Sequence, residues 1–301
     1  MREFDLLQHV YANTGADARV VIPPGDDMGM LAPGPTNLLA AIDQVVGGRH
    51  FDPAVTSPEA IGRKAVNRCL SDVAAMAGRP VAALIGVVLP PDFGAEASAR
   101  MFDAMRDAAG RFDCPLMGGD ISVHGDPSHP LTCSVTVLAE PVSRAVLRSG
   151  AQVGDDVFVT GVLGGTYAPD GLGHHLDFEP RIACGIALVE MLDERLHAMI
   201  DISDGLGRDA GHLAADSGVT IELDAAAIPY RQGVSMEAAL RGGEDYELCF
   251  TATGTLPATV AGVPVTKIGR VLDPAGEPAI FLTEAGKRRR IEDEGWEHGG
   301  T

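Results

Sequence analysis

Basic residues are scarce in this chain. Lys and Arg number 23 against 42 Asp and Glu, a net charge of −19. That balance argues against a nucleic-acid partner or an anionic membrane surface, because phosphate-rich surfaces are held by concentrated Lys and Arg. It still permits a nucleotide, provided metal ions bridge carboxylates to phosphates. Cysteine is sparse and irregular: Cys69, Cys114, Cys133, Cys184 and Cys249 are odd in number, widely spaced and without a C-x-x-C pair. A disulfide framework and a zinc cluster are therefore not expected, and reduced thiols in a cytosolic protein are. Long apolar runs are missing, since Val81 to Leu89 is strand-length and far short of a membrane span. The charged start Met1-Arg2-Glu3-Phe4-Asp5 has no apolar stretch behind it, so no signal pattern is read and a soluble, cytoplasmic protein is the expectation. There is no G-x-x-x-x-G-K-[ST] loop, no H-R-D or D-F-G set, no G-x-S-x-G elbow and no histidine spacing suited to zinc.

What is present is an ordinary globular composition, 46% hydrophobic and 22% charged, in a chain long enough for two medium domains. Strand-like stretches (residues 38–46, 81–89, 131–138) alternate with helical ones (from Pro58, and 95–112) up to Glu140-Pro141, where the character changes. A second series follows, with strands at 156–160, 198–203, 219–223, 246–252, 263–268 and 279–282, and helices from Pro180 to about Leu192 and up to about Ser217. Residues 166–180 read as irregular. The expected class is α/β (α+β), with domains at 1–139 and 140–301.

Both halves place Asp and Gly at strand ends. Asp27 follows the strand-like Val20-Val21-Ile22 in Gly25-Asp26-Asp27; Asp43 interrupts an apolar strand; Asp72, Asp120, Asp201 and Asp204 lie in small-residue segments. Each alone also fits a cap or a solvated turn. Together they fit a multi-Mg²⁺ phosphate site, since hard cations take oxygen ligands and glycines let backbone N–H groups approach phosphate. Gly205-Leu206-Gly207-Arg208-Asp209-Ala210 matches a dinucleotide-binding G-x-G-x-x-G/A loop, but Asp201 and Asp204 just before it would repel a pyrophosphate. The pair His174-His175 reads as solvated loop, and Lys287-Arg288-Arg289-Arg290 as part of the tail.

In order along the chain stand Gly25-Asp26-Asp27, Ile42-Asp43 before Gly48-Arg49-His50-Phe51, Leu70-Ser71-Asp72-Val73-Ala74-Ala75-Met76, Gly118-Gly119-Asp120, Arg148-Ser149-Gly150-Ala151, Ile200-Asp201-Ile202-Ser203-Asp204-Gly205 and Gly243-Glu244-Asp245-Tyr246-Glu247-Leu248. This succession resembles the thiamine-monophosphate kinase family, within the AIR synthase (PurM-like) superfamily. The resemblance implies a two-domain PurM-like fold, with the N-terminal sheet joining a second copy in a shared barrel and a C-terminal α/β sandwich. It implies a homodimer and an ATP- and Mg²⁺-dependent conversion of thiamine monophosphate to thiamine diphosphate, by direct in-line transfer with no protein base. By it, Asp27, Asp43, Asp72, Asp120, Asp201 and Asp204 hold Mg²⁺. Gly119, Asp120, Arg148 and Ser203 meet ATP, while His50, Glu244 and Trp296 meet thiamine monophosphate. The sequence departs from the family pattern at Ala41 and Ile42, where hydroxyl residues are usual, at Cys69, at Gly164-Gly165-Thr166 and in a shortened 166–180 region. The departures keep two rivals in view: a superfamily enzyme for another substrate, and a paralogue that binds nucleotide and metal without turnover.

Overall fold

The computed structural model describes residues 20–22, 30–31, 37–274, 276–292 and 294–296. Gly25-Asp26-Asp27, and with it the metal role expected of Asp27, lies outside them. Two short strands, β1 (Val20–Ile22) and β2 (Met30–Leu31), pair antiparallel. The chain then divides into two compact units, one built from residues up to Val73, Arg79–Pro141 and Tyr167–Glu179, the other from Ala74–Gly78, Val142–Thr166 and Pro180 onward.

The first unit carries an open four-stranded sheet in the order β3-β6-β4-β5, with β3 Leu39–Val46, β4 Gly78–Leu89, β5 Leu116–Val123 and β6 Thr132–Pro141. Strands β4 and β5 run parallel, so a crossover has to join them, and α2 (Ala95–Gly110) is that crossover. Period-two alternation in β6 buries Cys133, Val135, Val137 and Ala139 on one face. Helix α1 (Pro58–Ala75) contributes Ile61, Ala65, Val66, Cys69 and Leu70 to the buried set, and α2 contributes Met101, Phe102 and Met105. Each such large side chain stabilises the fold by about 1.5–3 kcal/mol. The helices cross where Gly62 meets α2, since a Cβ there would stand 2.4 Å from the Met101 carbonyl oxygen.

Packing carries two elements through segments rich in small residues. Ser71 and Asp72 lie inside α1 rather than beyond it, because Val73, Ala74 and Ala75 continue the buried helical face. Gly118-Gly119-Asp120 does not end an apolar segment; β5 runs through it to Val123, paired with Ile85 and Gly86.

The second unit holds a mixed sheet in the order β14-β13-β9-β12-β7-β10-β8, with the short β11 (Thr259–Val260) on β12. Its strands are β7 Asp156–Thr160, β8 Leu196–Asp201, β9 Thr220–Asp224, β10 Leu248–Ala252, β12 Val263–Leu272, β13 Ala279–Glu284 and β14 Lys287–Arg290. Val157, Val159, Ile221, Leu223, Cys249, Ile268 and Ile280 form one core with Leu206, Ala210 and Leu213 of α4 (Leu206–Ser217) and Leu240 of α5 (Met236–Arg241). The intervening residues Phe158 and Phe250 stack at 5.2 Å, and α3 (Ile182–Leu192) buries Leu188 and Val189. The basic run 287–290 is an edge strand, and Arg288, Arg289 and Arg290 pair with Glu222, Glu294 and Glu292. All five cysteines are buried and none forms a disulfide. Among the described residues no helix is long and apolar enough to cross a membrane.

Candidate active site

In the second unit, β8 ends at the buried Asp201 and the chain turns through Ile202, Ser203, Asp204 and Gly205 into α4. Three backbone bonds lash this turn to residues 242–247: Ile202 N–H to Glu247 O (2.7 Å), Tyr246 N–H to Ile202 O (2.8 Å) and Glu244 N–H to Ser203 O (2.7 Å). Gly243 permits the approach, since a Cβ there would stand 2.5 Å from Ser203 O. Glu244 and Tyr246 adopt φ of 62° and 52°. Non-glycine residues held there cost on the order of 1–3 kcal/mol each, a strain that collects at functional sites. It also explains why β10 starts at Leu248 and not at Tyr246 as the apolar pattern suggests. From the chain end, Trp296 N–H donates to Asp204 O at 2.8 Å. The tertiary fold thus gathers Asp201, Ser203, Asp204, Glu244 and Trp296, with the Trp296 side chain about half exposed.

Behind this turn stand acids that sequence reading left unassigned. Glu247 is buried and accepts two bonds from Arg181 (2.7 and 2.5 Å) and one from the Thr160 hydroxyl (2.6 Å). Gly161 makes room for it: at φ 58°, a Cβ would sit 2.0 Å from Glu247 Oε1. Asp245 accepts from Gly164 N–H (2.9 Å) and Arg231 (2.8 Å), while its other oxygen, Oδ2, is buried without a hydrogen-bond partner. Burial outweighs Arg231 and raises the Asp245 carboxyl to about 7. Asp209 accepts the N–H groups of Ser203, Asp204 and Gly205 at 2.9, 3.0 and 3.1 Å. Burial first, then the charges of Asp201 and Asp204, push its carboxyl well above the usual carboxylate range.

Arg148 is exposed and its guanidinium pairs with Asp216 at 2.5 Å. An exposed pair of this kind is worth at most about 1 kcal/mol, so an incoming anion can replace Asp216. The loop after Arg148 is firmer: Gly150 and Ala151 donate to Ser217 Oγ (3.1 and 3.0 Å), and the fully buried Asp155 takes Gln152 N–H and His197 Nδ1.

In the first unit, Asp43 meets Arg68 of α1 at 3.3 Å, and both Asp72 and Asp43 add to burial in raising the Cys69 thiol. These two carboxylates therefore share a neighbourhood. Asp72 sits in the last turn of α1, the negative end of the helix dipole, where that turn has no basic residue. Such a carboxylate is suited to a cation. Gly119 and Asp120 lie on β5, at the opposite edge of the sheet from Asp43 on β3. Three strand spacings are roughly 14 Å, so within this sheet Asp120 does not join Asp43. Only glycine fits at 119, where a Cβ would be 1.9 Å from Ile85 O. His50 accepts Val46 N–H on Nδ1 (2.9 Å), which puts the ring proton of the neutral form on Nε2. Among the described residues no three His, Cys, Asp or Glu side chains are close enough to hold a metal by themselves. The donor chemistry nonetheless suits Mg²⁺, whose shell takes one or two carboxylates and completes itself with water and substrate phosphates.

Residues 25–140 match the family described as AIR synthase related protein, N-terminal domain. Over nearly all its length the chain is 32% identical to the thiamine-monophosphate kinase of Rhodopirellula baltica, covering 98% of this chain and 93% of the relative. It belongs to the thiamine-monophosphate kinase family. Two solved structures of the family superpose well: the Stenotrophomonas maltophilia thiamine-monophosphate kinase (31% identity, 94% of this chain and 96% of that one, TM-score 0.79) and AaThiL complexed with AMPPCP and TMP (33%, 99% of each, TM-score 0.74). The PurM-like architecture of the family is thus the fold of this chain.

Against the family pattern, Ile42 is two-thirds exposed and Ala41 half-buried, and neither brings a hydroxyl to Asp43. The shortened region corrects one expectation. His175 is not solvated but fully buried: Lys64 Nζ lies 2.9 Å from its Nδ1, its Nε2 lies 3.3 Å from Gly171 O, and its ring stacks on Tyr167 at 4.0 Å. Asn67 adds a bond to Phe178 O (2.9 Å), so α1 holds the segment 167–179 by side chains one turn apart.

Proposed function

We propose that the chain is an ATP- and Mg²⁺-dependent thiamine-monophosphate kinase that passes the γ-phosphoryl group of ATP directly to the phosphate of thiamine monophosphate. The observation that carries this is the gathering of Asp201, Ser203, Asp204, Glu244 and Trp296 around one strained turn, in a chain of this family. The relative's complex with AMPPCP, an ATP analogue, and TMP supports both substrates.

Asp43, Asp72, Asp120, Asp201 and Asp204, with Asp27, would hold Mg²⁺. Bound there, Mg²⁺ supplies charge neutralisation and alignment for the transferring phosphoryl group. The acceptor is already an anion, so no side chain has to remove a proton. Arg148 exchanges Asp216 for nucleotide phosphate, while Gly119, Asp120 and Ser203 complete the nucleotide contacts. Glu244 faces the cationic thiazolium, Trp296 stacks on the substrate's ring and His50 donates from Nε2. Residues 1–139 form the metal- and nucleotide-binding and dimerising domain, 140–301 the second domain, and the enzyme works as a cytoplasmic homodimer joined through its N-terminal sheets.

Purified protein with ATP, Mg²⁺ and thiamine monophosphate should yield thiamine diphosphate resolved by chromatography. No product above that of Asp72→Asn sinks the proposal. The missing hydroxyls at Ala41 and Ile42 favour one second reading, a paralogue without turnover. Under it, ATP binds with Mg²⁺ and is recovered unchanged.

A further inference from the structure

The loop that reads as a dinucleotide motif has no space for a dinucleotide, because the chain itself fills it. Gly205, at φ 114°, lies where a Cβ would meet the Leu240 carbonyl oxygen at 2.9 Å. Gly207 abuts the carbonyl oxygens of Ile291 and Glu294, 2.8 and 2.5 Å from where its Cβ would be. Both glycines admit the protein's own backbone, not a pyrophosphate. The successive N–H groups of Ser203, Asp204 and Gly205, in the turn that leads into α4, converge on a single atom, Asp209 Oδ2.

No side chain caps α4 from position 205, so the Gly205 N–H would otherwise be among the unsatisfied donors of a helix start, and the Ser203 and Asp204 N–H groups lie just ahead of it. Asp209 reaches back from within the first turn and takes all three, almost fully shielded from water. Three consecutive N–H groups aimed at one oxygen fix the backbone of residues 203–205, and with it the directions in which the Ser203 and Asp204 side chains leave the chain.

We infer that Asp209 is a positioning residue for phosphoryl transfer, resting on the assignment of Ser203 and Asp204 above: its carboxylate oxygen gathers the N–H groups of Ser203, Asp204 and Gly205 and so aims those two side chains at nucleotide and metal. Asp209 touches neither substrate. Its effect passes through the 203–205 backbone, and a displacement of about 1 Å in such groups costs around a hundredfold in rate.

The test compares Asp209→Ala, Asp209→Asn, Asp204→Ala and the double variant Asp204→Ala/Asp209→Ala in the full-length protein, with kcat and both KM values measured alongside thermal unfolding. Asp209→Ala is expected to lower kcat about a hundredfold with the KM for thiamine monophosphate changed less than threefold. Asp209→Asn, whose amide oxygen can accept the same three bonds, recovers at least tenfold of that loss. In the double variant, the second substitution lowers kcat less than threefold beyond Asp204→Ala, because both act through one element. If Asp209→Ala does not fold, Asp209→Asn decides alone, with kcat within tenfold of the unsubstituted enzyme expected. Losses that multiply in the double variant, or an Asp209→Asn enzyme as impaired as Asp204→Ala, overturn the inference. Unchanged activity in Asp204→Ala overturns the site assignment itself, which separates the two failures.

Discussion

Replacing Arg181 by Met tests how the Glu244 turn is held. Glu247 is almost completely buried and its carboxylate is matched by Arg181 through two bonds and by Thr160 through one. The substitution keeps much of the side-chain volume but leaves a buried negative charge with only a hydroxyl to answer it. Breaking a buried pair from one side costs about 3–5 kcal/mol. The Glu247 backbone is also one of the ties to Ile202, so the 201–205 turn loosens with it. For a unit of this size the loss corresponds to roughly 6–20 °C in Tm, at about 2–4 °C per kcal/mol. Thermal and urea unfolding of Arg181→Met, Glu247→Gln and the double variant make the measurement. The double variant should recover at least half of the Arg181→Met loss, because no charge is then left unpaired. An Arg181→Met protein within ~1 kcal/mol of the unsubstituted one would mean that water or another group solvates Glu247, and the account of the turn would fall.

Asp245 predicts a pH dependence. Its carboxyl titrates at about 7 in the folded protein, against roughly 4 when unfolded, so the folded state holds the proton more tightly. Its contribution is complete below about pH 4 and is lost as pH rises to 7 and beyond, so the urea midpoint should fall between pH 5 and 8, and less so in Asp245→Asn. A midpoint that rises over that range in the unsubstituted protein, with the rise absent from Asp245→Asn, refutes the direction. Trp296→Ala should leave Tm within about 1 °C, as an exposed ring contributes little to folding, yet raise the KM for thiamine monophosphate about 5–30-fold through a lost cation–π contact of about 1–2 kcal/mol. Equal KM values would remove Trp296 from the site. Gly119→Ala has to force β4 and β5 apart at Ile85 O, and is expected to cost more than about 2 kcal/mol by urea titration; a neutral result would show the strands shift freely.

Much of the first unit was legible in the sequence because its signals are local. Alternating apolar residues in β6 and the helical recurrence from Pro58 depend only on near neighbours. Element ends were less so: residues 118–120 look like a break, but pairing with β4 keeps them in a strand, and the positive φ of Glu244 and Tyr246 stops a strand that their side chains favour. Reading His175 as solvated failed for the same reason, since Lys64 stands more than a hundred positions away.

By itself the sequence determined the alternation of strands and helices, the acidic character, and the order of Gly-Asp motifs that marks the family. Those follow from composition and short spacing, which the chain carries before it folds. Only the tertiary structure decided which acids face a site and which face the protein. Asp209, Asp245 and Glu247 look in sequence much like Asp201, Asp204 and Glu244, yet the first three are consumed by backbone N–H groups, Arg231 and Arg181. A carboxylate's role depends on what folding brings to within about 3 Å of it, and for Glu247 the partner comes from 66 residues away.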